Sequence, residues 1–518
     1  MLSLLWLLAT TSGVRSANIL GLFTSHSPSH LILHMSMMQT LAEAGHNITV
    51  VTTIRPKVKC ENMQLIVIPM SKAQEHNLEQ QMSTMAGQKN SIFMLFKRVQ
   101  NMLDSQLDLL SDAAFQRVYE TKFDLMFLGY ILNDLHLGLA AKLRVPLILA
   151  WVQAPAVNID TLVGNPTNPS YIPRVGTAVK PGEIMGFGKR LQNFSNSLIF
   201  QLMMLHFKHQ MQYYYKQQFG HIADFPTLQQ MRRNVSLVFT NSHSISEGPI
   251  RPLVPGIIEI GGIQIKQHPN ALPKDISDFL DEAEHGVILL SLGSNIKSSA
   301  VKPHLVQSMF KVLSKLKQRV IWKWEQPEMT PGLAANILYK QWLPQDDILA
   351  PPKIKLFITH AGKGGITEAQ YHGVPMLALP IFGDQPTNAE NMQLAGYGLT
   401  LELLSLNEQN FKQQLNELLT NKKYAQAIRR FSRLYRDRPL SARQTVLYWT
   451  EYVLRHHGAV HLQSTAVHMS FIAYHNLDVY AFLISVATLL LLLAKLVIKI
   501  ICCSLCNKSQ KRKKLKLH

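Results

Sequence analysis

Short apolar runs alternate with longer amphipathic stretches along most of this chain, and the alternation starts again after a polar break at residues 266–273. Residues 17–23, 48–53, 65–70, 123–130 and 146–151 read as buried strands, each a nearly continuous apolar run. Residues 29–45 place Ile32, Leu33, Met35, Met38, Leu41 and Ala42 on one helical stripe, with Gly45 as the stop. Residues 135–143 form a further helix, and residues 71–119 are polar, Met-rich and helical. Residues 158–181 are rich in Pro, Gly, Asn and Thr and read as a long loop. Residues 194–219 are aromatic and Met-rich, a composition that serves either core or an adaptable apolar pocket. Beyond the break, strands are expected at 286–294, 320–325, 355–359, 376–382 and 399–403. Helices are expected at 305–318, 407–419, 423–435 and 441–456. Strand–helix–strand alternation predicts parallel sheets with helices on both faces. The fold class is therefore α/β, with two Rossmann-like domains facing each other across a cleft.

The two ends change that picture. Residues 1–16 are apolar and then small and polar, the pattern of a secretory signal peptide cleaved after Ser16 or Ala17. Residues 477–501 are nearly continuous apolar sequence broken by Lys495 and Lys499. As a helix they would span roughly 37 Å, enough to cross a bilayer. The basic tail 502–518 then lies in the cytosol by the positive-inside rule, leaving the rest lumenal. Its last residues, with Lys514 and Lys516, resemble a dilysine retrieval signal of endoplasmic-reticulum membrane proteins. The expected organisation is a leader (1–16), an N-terminal domain (17–265), a linker (266–273) and a C-terminal domain (274–440). Helices (441–476), a membrane span (477–501) and the tail follow.

Charge and cysteine content exclude other classes. The chain has 518 residues, is 47% hydrophobic and carries a formal net charge of +19. Six of those cations, Lys508, Lys511, Arg512, Lys513, Lys514 and Lys516, sit in the tail, and the others are interleaved with acids. No clustered basic face suggests nucleic acid as a partner. Only Cys60 falls in the lumenal part, so no lumenal disulfide can form within the chain. No spacing suggests a metal site. Sequons stand at Asn47, Asn193 and Asn234.

The chemistry concentrates between Phe357 and Gln385. A buried strand (355–359) leads into Ala361-Gly-Lys-Gly-Gly365 and then a helix. Small residues there let backbone N–H groups at a helix N-terminus approach an anion. His360, Gly362, Glu368, Pro375, Pro380, Asp384 and Gln385 follow in order. These positions resemble the signature of the UDP-glycosyltransferases, and the whole chain resembles an insect-type, membrane-anchored member.

That resemblance implies a GT-B architecture with a UDP-sugar in the C-terminal domain. His360 and Ser294 would meet the diphosphate, while Gly362 and Gly365 keep the turn open. Trp342 and Gln345 resemble the nucleobase element; Glu368 would accept from ribose hydroxyls, and Asp384 with Gln385 from the sugar's. His30, in Ser27-Pro-Ser-His30, matches the family's catalytic base, an imidazole suited to proton abstraction near neutral pH. Asp134 is assigned as its orienting carboxylate, although vertebrate relatives carry that acid at the place held here by Gly129. Ala361, Gly364, Pro351 and Gln264 also depart from the usual pattern, which bears on donor affinity and sugar choice.

The expected function is inverting transfer of a hexose, glucose first, from UDP-sugar to a hydroxyl of a small lipophilic acceptor. The UDP-sugar is a co-substrate; no cofactor or metal is expected. The protein would sit in the endoplasmic-reticulum membrane as a single-pass type I chain, and a homo-oligomer is compatible with this. Two alternatives stay open. One is a lumenal binding protein with a decayed donor site. The other is a different UDP-sugar such as UDP-glucuronate, for which Lys363 is the one cation close in sequence.

Overall fold

The apolar runs assemble into two separate parallel sheets. The computed structural model describes residues 16–58, 60–87, 92–174, 176–246 and 248–514. The leader expected at 1–16 lies outside them except for Ser16, and so do Lys516 and the last residues of the retrieval signal. The first sheet contains β1 (Asn18–Phe23), β2 (Asn47–Thr52), β3 (Met63–Val67), β4 (Leu125–Gly129), β5 (Leu147–Trp151), β6 (Val235–Thr240) and β7 (Ile257–Glu259). Their order is β3-β2-β1-β4-β5-β6-β7. The second contains β8 (Val287–Ser291), β9 (Arg319–Lys323), β10 (Ile337–Lys340), β11 (Ile354–Thr359), β12 (Met376–Ala378) and β13 (Gly398–Thr400). Its order is β10-β9-β8-β11-β12-β13. Every residue of β4, β5, β6 and β8 is buried, as a sheet covered on both faces requires.

The strand order reverses between β1 and β4 in the first sheet and between β8 and β11 in the second. Such switch points, at the carboxyl ends of the strands, are where open α/β sheets bind ligands. Ser25 and His30 follow β1, Asn133 and Asp134 follow β4, Ser294 follows β8, and His360 follows β11. Of the residues singled out in the sequence, His30 and Asp134 thus lie at the first switch point, and Ser294 and His360 at the second.

Three strands go beyond the sequence reading: β6, β7 and β10. The stretch read as a loop at 158–181 also holds a short helix, Val157–Val163, stopped by Gly164 in the left-handed conformation. It is followed by the long helix Phe187–Phe219. Asn193 of this helix is fully buried. Its side chain accepts from the Arg174 N–H and donates to the Pro169 and Ile172 carbonyls, so this sequon offers no surface acceptor in the folded protein. Asn47 and Asn234 are exposed.

Late in the chain, helix Ala442–Arg455 returns to the first sheet. Val446 and Val453 are fully buried in one cluster with Ile19, Leu41 and Phe127. Arg443 Nη1 donates to Thr40 Oγ1 on helix Pro28–Glu43 at 3.3 Å. Residues 464–518 form a unit of their own. Within it, helix Leu477–Lys514 contains a stretch, Leu477–Ser509, long and apolar enough to cross a membrane.

Candidate functional site

At the second switch point a histidine is held in a slot of glycines. A Cβ on Gly293 would lie 2.4 Å from His360 Cε1, and one on Gly362 would lie 2.4 Å from His360 Nε2. Gly293 also has φ +86°, a conformation that disfavours side chains. Only glycine fits on either side of the ring. Ala361 between them takes φ 63° despite its methyl group, a local strain of the kind found at ligand clamps. Burial, and next the charge of Lys323, lower the His360 pKa to about 4, so the ring is neutral at physiological pH. Its Nδ1 and the Ser294 hydroxyl are both buried without a hydrogen-bond partner among the described residues. Beside them, Gly362 caps helix Lys363–His372 with no side-chain bond to the first N–H groups. Two unsatisfied polar atoms and an open helix N-terminus make a setting for an anion.

The neighbouring corner joins Gln345, Glu368 and Trp342. Gln345 Nε2 donates to Glu368 Oε2 at 2.6 Å, and Gln264 Nε2 to Oε1 at 3.4 Å. Burial, and next the Asp346 charge, push the Glu368 carboxyl up to about 7, against the pull of those two amides. Gly365 is constrained here too, since its Cβ would stand 3.3 Å from Phe357 and 3.4 Å from Gln345 Nε2. Trp342 is 42% exposed. One of its faces carries Lys57 Nζ, 4.1 Å from the ring centre, from the loop after β2. The half-open ring thus holds a cation over one face.

Asp384 lines a cavity of about 320 Å³, and Gln385 opens the helix that follows it. The Gln385 carbonyl accepts from the Ile381 and Phe382 N–H groups, at 2.9 and 3.0 Å. Asp384 Oδ2 accepts from Asn388 Nδ2 at 2.6 Å, and the same amide donates to the Ala361 carbonyl. Asp384, Lys363 and Asn388 line the cavity from one side; Arg174, Arg251, Phe200 and Met203 line it from the other. The two arginines were not among the sequence candidates. Arg174 is buried against Asp160, with Nη1 3.5 Å from the carboxylate. Nothing local in the sequence marks either arginine; tertiary folding alone brings them there.

At the first switch point, Ser25 Oγ lies 2.8 Å from His30 Nδ1. Asp134, assigned the orienting role, has strong partners of its own. One of its oxygens accepts from the Tyr130 hydroxyl and the other from Arg232, in a buried ion pair. Each oxygen thus has a partner other than an imidazole. Gly129 offers no alternative, because the His34 ring occupies the space beside it. A Cβ on Gly129 would stand 2.7 Å from His34 Cε1. His34 is stacked on Phe23 with centroids 4.4 Å apart. Burial first, and then the nearby His30, lower its pKa to about 3. The group found at Nδ1 is thus the serine hydroxyl, which sequence reasoning did not single out.

Comparison with known proteins bears on this geometry. A family model described as UDP-glucoronosyl and UDP-glucosyl transferase matches residues 21–515. UDP-glycosyltransferase UGT5 of Dactylopius coccus is 34% identical over 497 residues, covering 94% of this chain and 92% of that relative. UDP-glucosyltransferase 2 of the same insect is 33% identical, over 92% and 91% of the two chains. Human UDP-glucuronosyltransferase 2B17 is 29% identical, over 94% and 93%. Among solved structures, a Polygonum tinctorium UDP-glucosyltransferase aligns with a TM-score of 0.55 at 16% identity, covering 85% of this chain and 99% of that one. The glycosyltransferase of kitacinnamycin aligns at 0.52, also at 16% identity, over 86% and 100%. Those two likenesses show the GT-B fold.

Proposed function

Because the chain belongs to the UDP-glucoronosyl and UDP-glucosyl transferase family and is a UDP-glycosyltransferase, we propose that it moves glucose, with inversion, from UDP-glucose to a hydroxyl of a small lipophilic acceptor. The observation that carries this reading is the pair of buried, unpartnered atoms, His360 Nδ1 and Ser294 Oγ, beside the N-terminus of helix Lys363–His372. A diphosphate would meet both donors and the helix dipole together. The neutral His360 ring can give one N–H to the departing phosphate oxygen and so stabilise the charge that develops there. Trp342 stacks the uracil once Lys57 moves aside, Gln345 reads the base through its remaining oxygen, and Glu368 accepts from the ribose. Asp384 and the Gln385 amide hold the sugar hydroxyls.

His30 takes the acceptor's proton as its oxygen attacks the anomeric carbon. With Nδ1–H directed at Ser25 Oγ, Nε2 is the nitrogen that takes the proton. Ser25 Oγ also accepts from the Ser27 N–H at 3.3 Å, which holds the hydroxyl beside the ring. The C-terminal helix anchors the protein in the endoplasmic-reticulum membrane, with the catalytic domains on the lumenal side.

A second reading, UDP-glucuronate as donor, is favoured by Arg174, Arg251 and Lys363 around the cavity that Asp384 lines. Against it stands the Asp384 carboxylate itself, which would repel a charged sugar, and the engagement of Arg174 by Asp160. Titration calorimetry with UDP, followed by turnover with UDP-glucose and UDP-glucuronate on phenolic and steroid acceptors, tests both. Heat with UDP that disappears in His360→Ala and Ser294→Ala, together with faster turnover of UDP-glucose, is expected. No heat in the native chain would leave a binding protein with a decayed donor site.

A further inference from the structure

Helix Leu477–Lys514 is longer than a bilayer needs. Its 38 residues run about 57 Å at about 1.5 Å each, against a hydrocarbon layer of about 30 Å. No charge falls between Asp478 and Lys495, and that stretch alone fills most of the layer. Beyond Lys495 the helix does not turn polar at once. Leu496, Val497, Ile498, Ile500, Ile501 and Leu505 are each more than half exposed, and Lys499 interrupts them. An apolar segment with lysines that reach outward belongs at headgroup level. Three of the chain's four cysteines, Cys502, Cys503 and Cys506, stand in that segment. All three are exposed and unbridged, so core packing does not account for them. Cys502 and Cys506 continue the line of Lys495 and Lys499, at spacings of four, three and four residues that keep one helix face. Disulfides do not account for them either, because the basic end of the helix faces the reducing side of the membrane by the positive-inside rule. Among the described residues, no group of three or more His, Cys, Asp or Glu is placed to hold a metal ion.

We propose that Cys502, Cys503 and Cys506 form a site of S-acylation by long-chain fatty acyl groups. A cysteine thiolate attacks the carbonyl carbon of a long-chain acyl-coenzyme A. The carbon–sulfur bond to coenzyme A breaks, the departing sulfur takes up a proton, and the cysteine keeps the acyl group as a thioester. Thiols at headgroup level let the acyl chain fold back into the hydrocarbon beside its own helix, in the leaflet next to the basic tail. The modification is reversible, and it fixes how deep an overlong helix sits. It rests on the reading that the basic end is cytosolic, and it is independent of sugar transfer.

The full chain is expressed in eukaryotic cells, its free thiols are blocked with N-ethylmaleimide, and thioesters are then cleaved with neutral hydroxylamine. Each thiol so released is tagged with a polyethylene-glycol maleimide, which adds one step in gel mobility. Hydroxylamine-dependent steps are expected in the native chain and in Cys60→Ser. Their complete loss is expected when Cys502, Cys503 and Cys506 are all changed to Ser. A native chain without such steps, or a triple variant that keeps them, would overturn the proposal. So would steps released by a mild reductant in place of hydroxylamine, since the cysteines would then be held in disulfides. A membrane-impermeant maleimide, applied to sealed microsomes before and after hydroxylamine, tells the two readings apart. Labelling from outside is expected, and to increase after hydroxylamine. Outside labelling that hydroxylamine does not change would overturn acylation alone. Labelling only after permeabilisation would overturn the cytosolic reading and the proposal that rests on it.

Discussion

Replacing Glu368 by Gln separates stability from donor binding at a single position. The carboxyl is buried, and its pKa is raised from 4.5 to about 7. A group whose folded pKa lies above its unfolded value stabilises fully below the unfolded pKa and loses that contribution as pH rises through the folded one. For Glu368 the loss runs from about pH 4.5 to about pH 7, and integrated between about pH 5 and about pH 8 it amounts to about 2.5 kcal/mol. The Gln variant does not titrate and escapes it. Its hydrogen bonds survive, because Gln345 still donates to the remaining oxygen. Gln264, whose buried Oε1 has no partner, can turn to accept from the new amide. Urea unfolding of the detergent-solubilised protein, followed by tryptophan emission, should therefore show Glu368→Gln gaining stability over the native chain as pH rises across that window. UDP should bind more weakly, by roughly 10- to 100-fold at the higher pH, since a hydrogen bond to a charged acceptor contributes about 1.5–3 kcal/mol. Parallel pH dependence in the two proteins would refute the argument from burial, and unchanged UDP affinity would remove Glu368 from the ribose.

Three further substitutions separate the base from its neighbours. Ser25→Ala removes one neutral hydrogen bond from His30, about 0.5–1.5 kcal/mol, so kcat should fall about 2- to 10-fold with UDP affinity unchanged. His30→Ala should abolish transfer and also leave UDP binding intact; equal losses in the two variants, or none in either, would contradict the assignment. Asp134→Asn should cost about 3 kcal/mol of stability by leaving Arg232 without its buried partner, while turnover per folded molecule holds. A stable but inactive Asp134→Asn would return that residue to the catalytic machinery.

The parallel sheets were legible because their strands are buried on both faces and so read as uninterrupted apolar runs; β4, β5 and β8 are of this kind. Short edge strands were not. β7 and β10 have three and four residues, too few for a period to show. Helix Val157–Val163 was hidden by Asn158 and Asp160, buried polar residues, the second paired with Arg174 and Asn165. His360, Gly362, Glu368, Asp384 and Gln385 stand out in the sequence because they lie in one short segment, whereas the surroundings of His30 do not. Asp134 looks like a free acid at the end of a strand until its partner Arg232, 98 residues later, is placed beside it. The serine beside His30 carries no local mark that sets it apart from its neighbours in Ser25-His-Ser27.

Helix Ala442–Arg455, after the second sheet is complete, gives its valines back to the first. The polypeptide therefore passes between the halves twice, once on the way out and once on the way home. Two crossings behave like the two pins of a door: they permit swinging about the line that joins them and resist twisting or sliding. Neither half is a separable product, since cutting at residue 266 would strip the first of a wall and leave the second trailing Val446 and Val453 in water. Any opening that admits a nucleotide has to be a swing about that line.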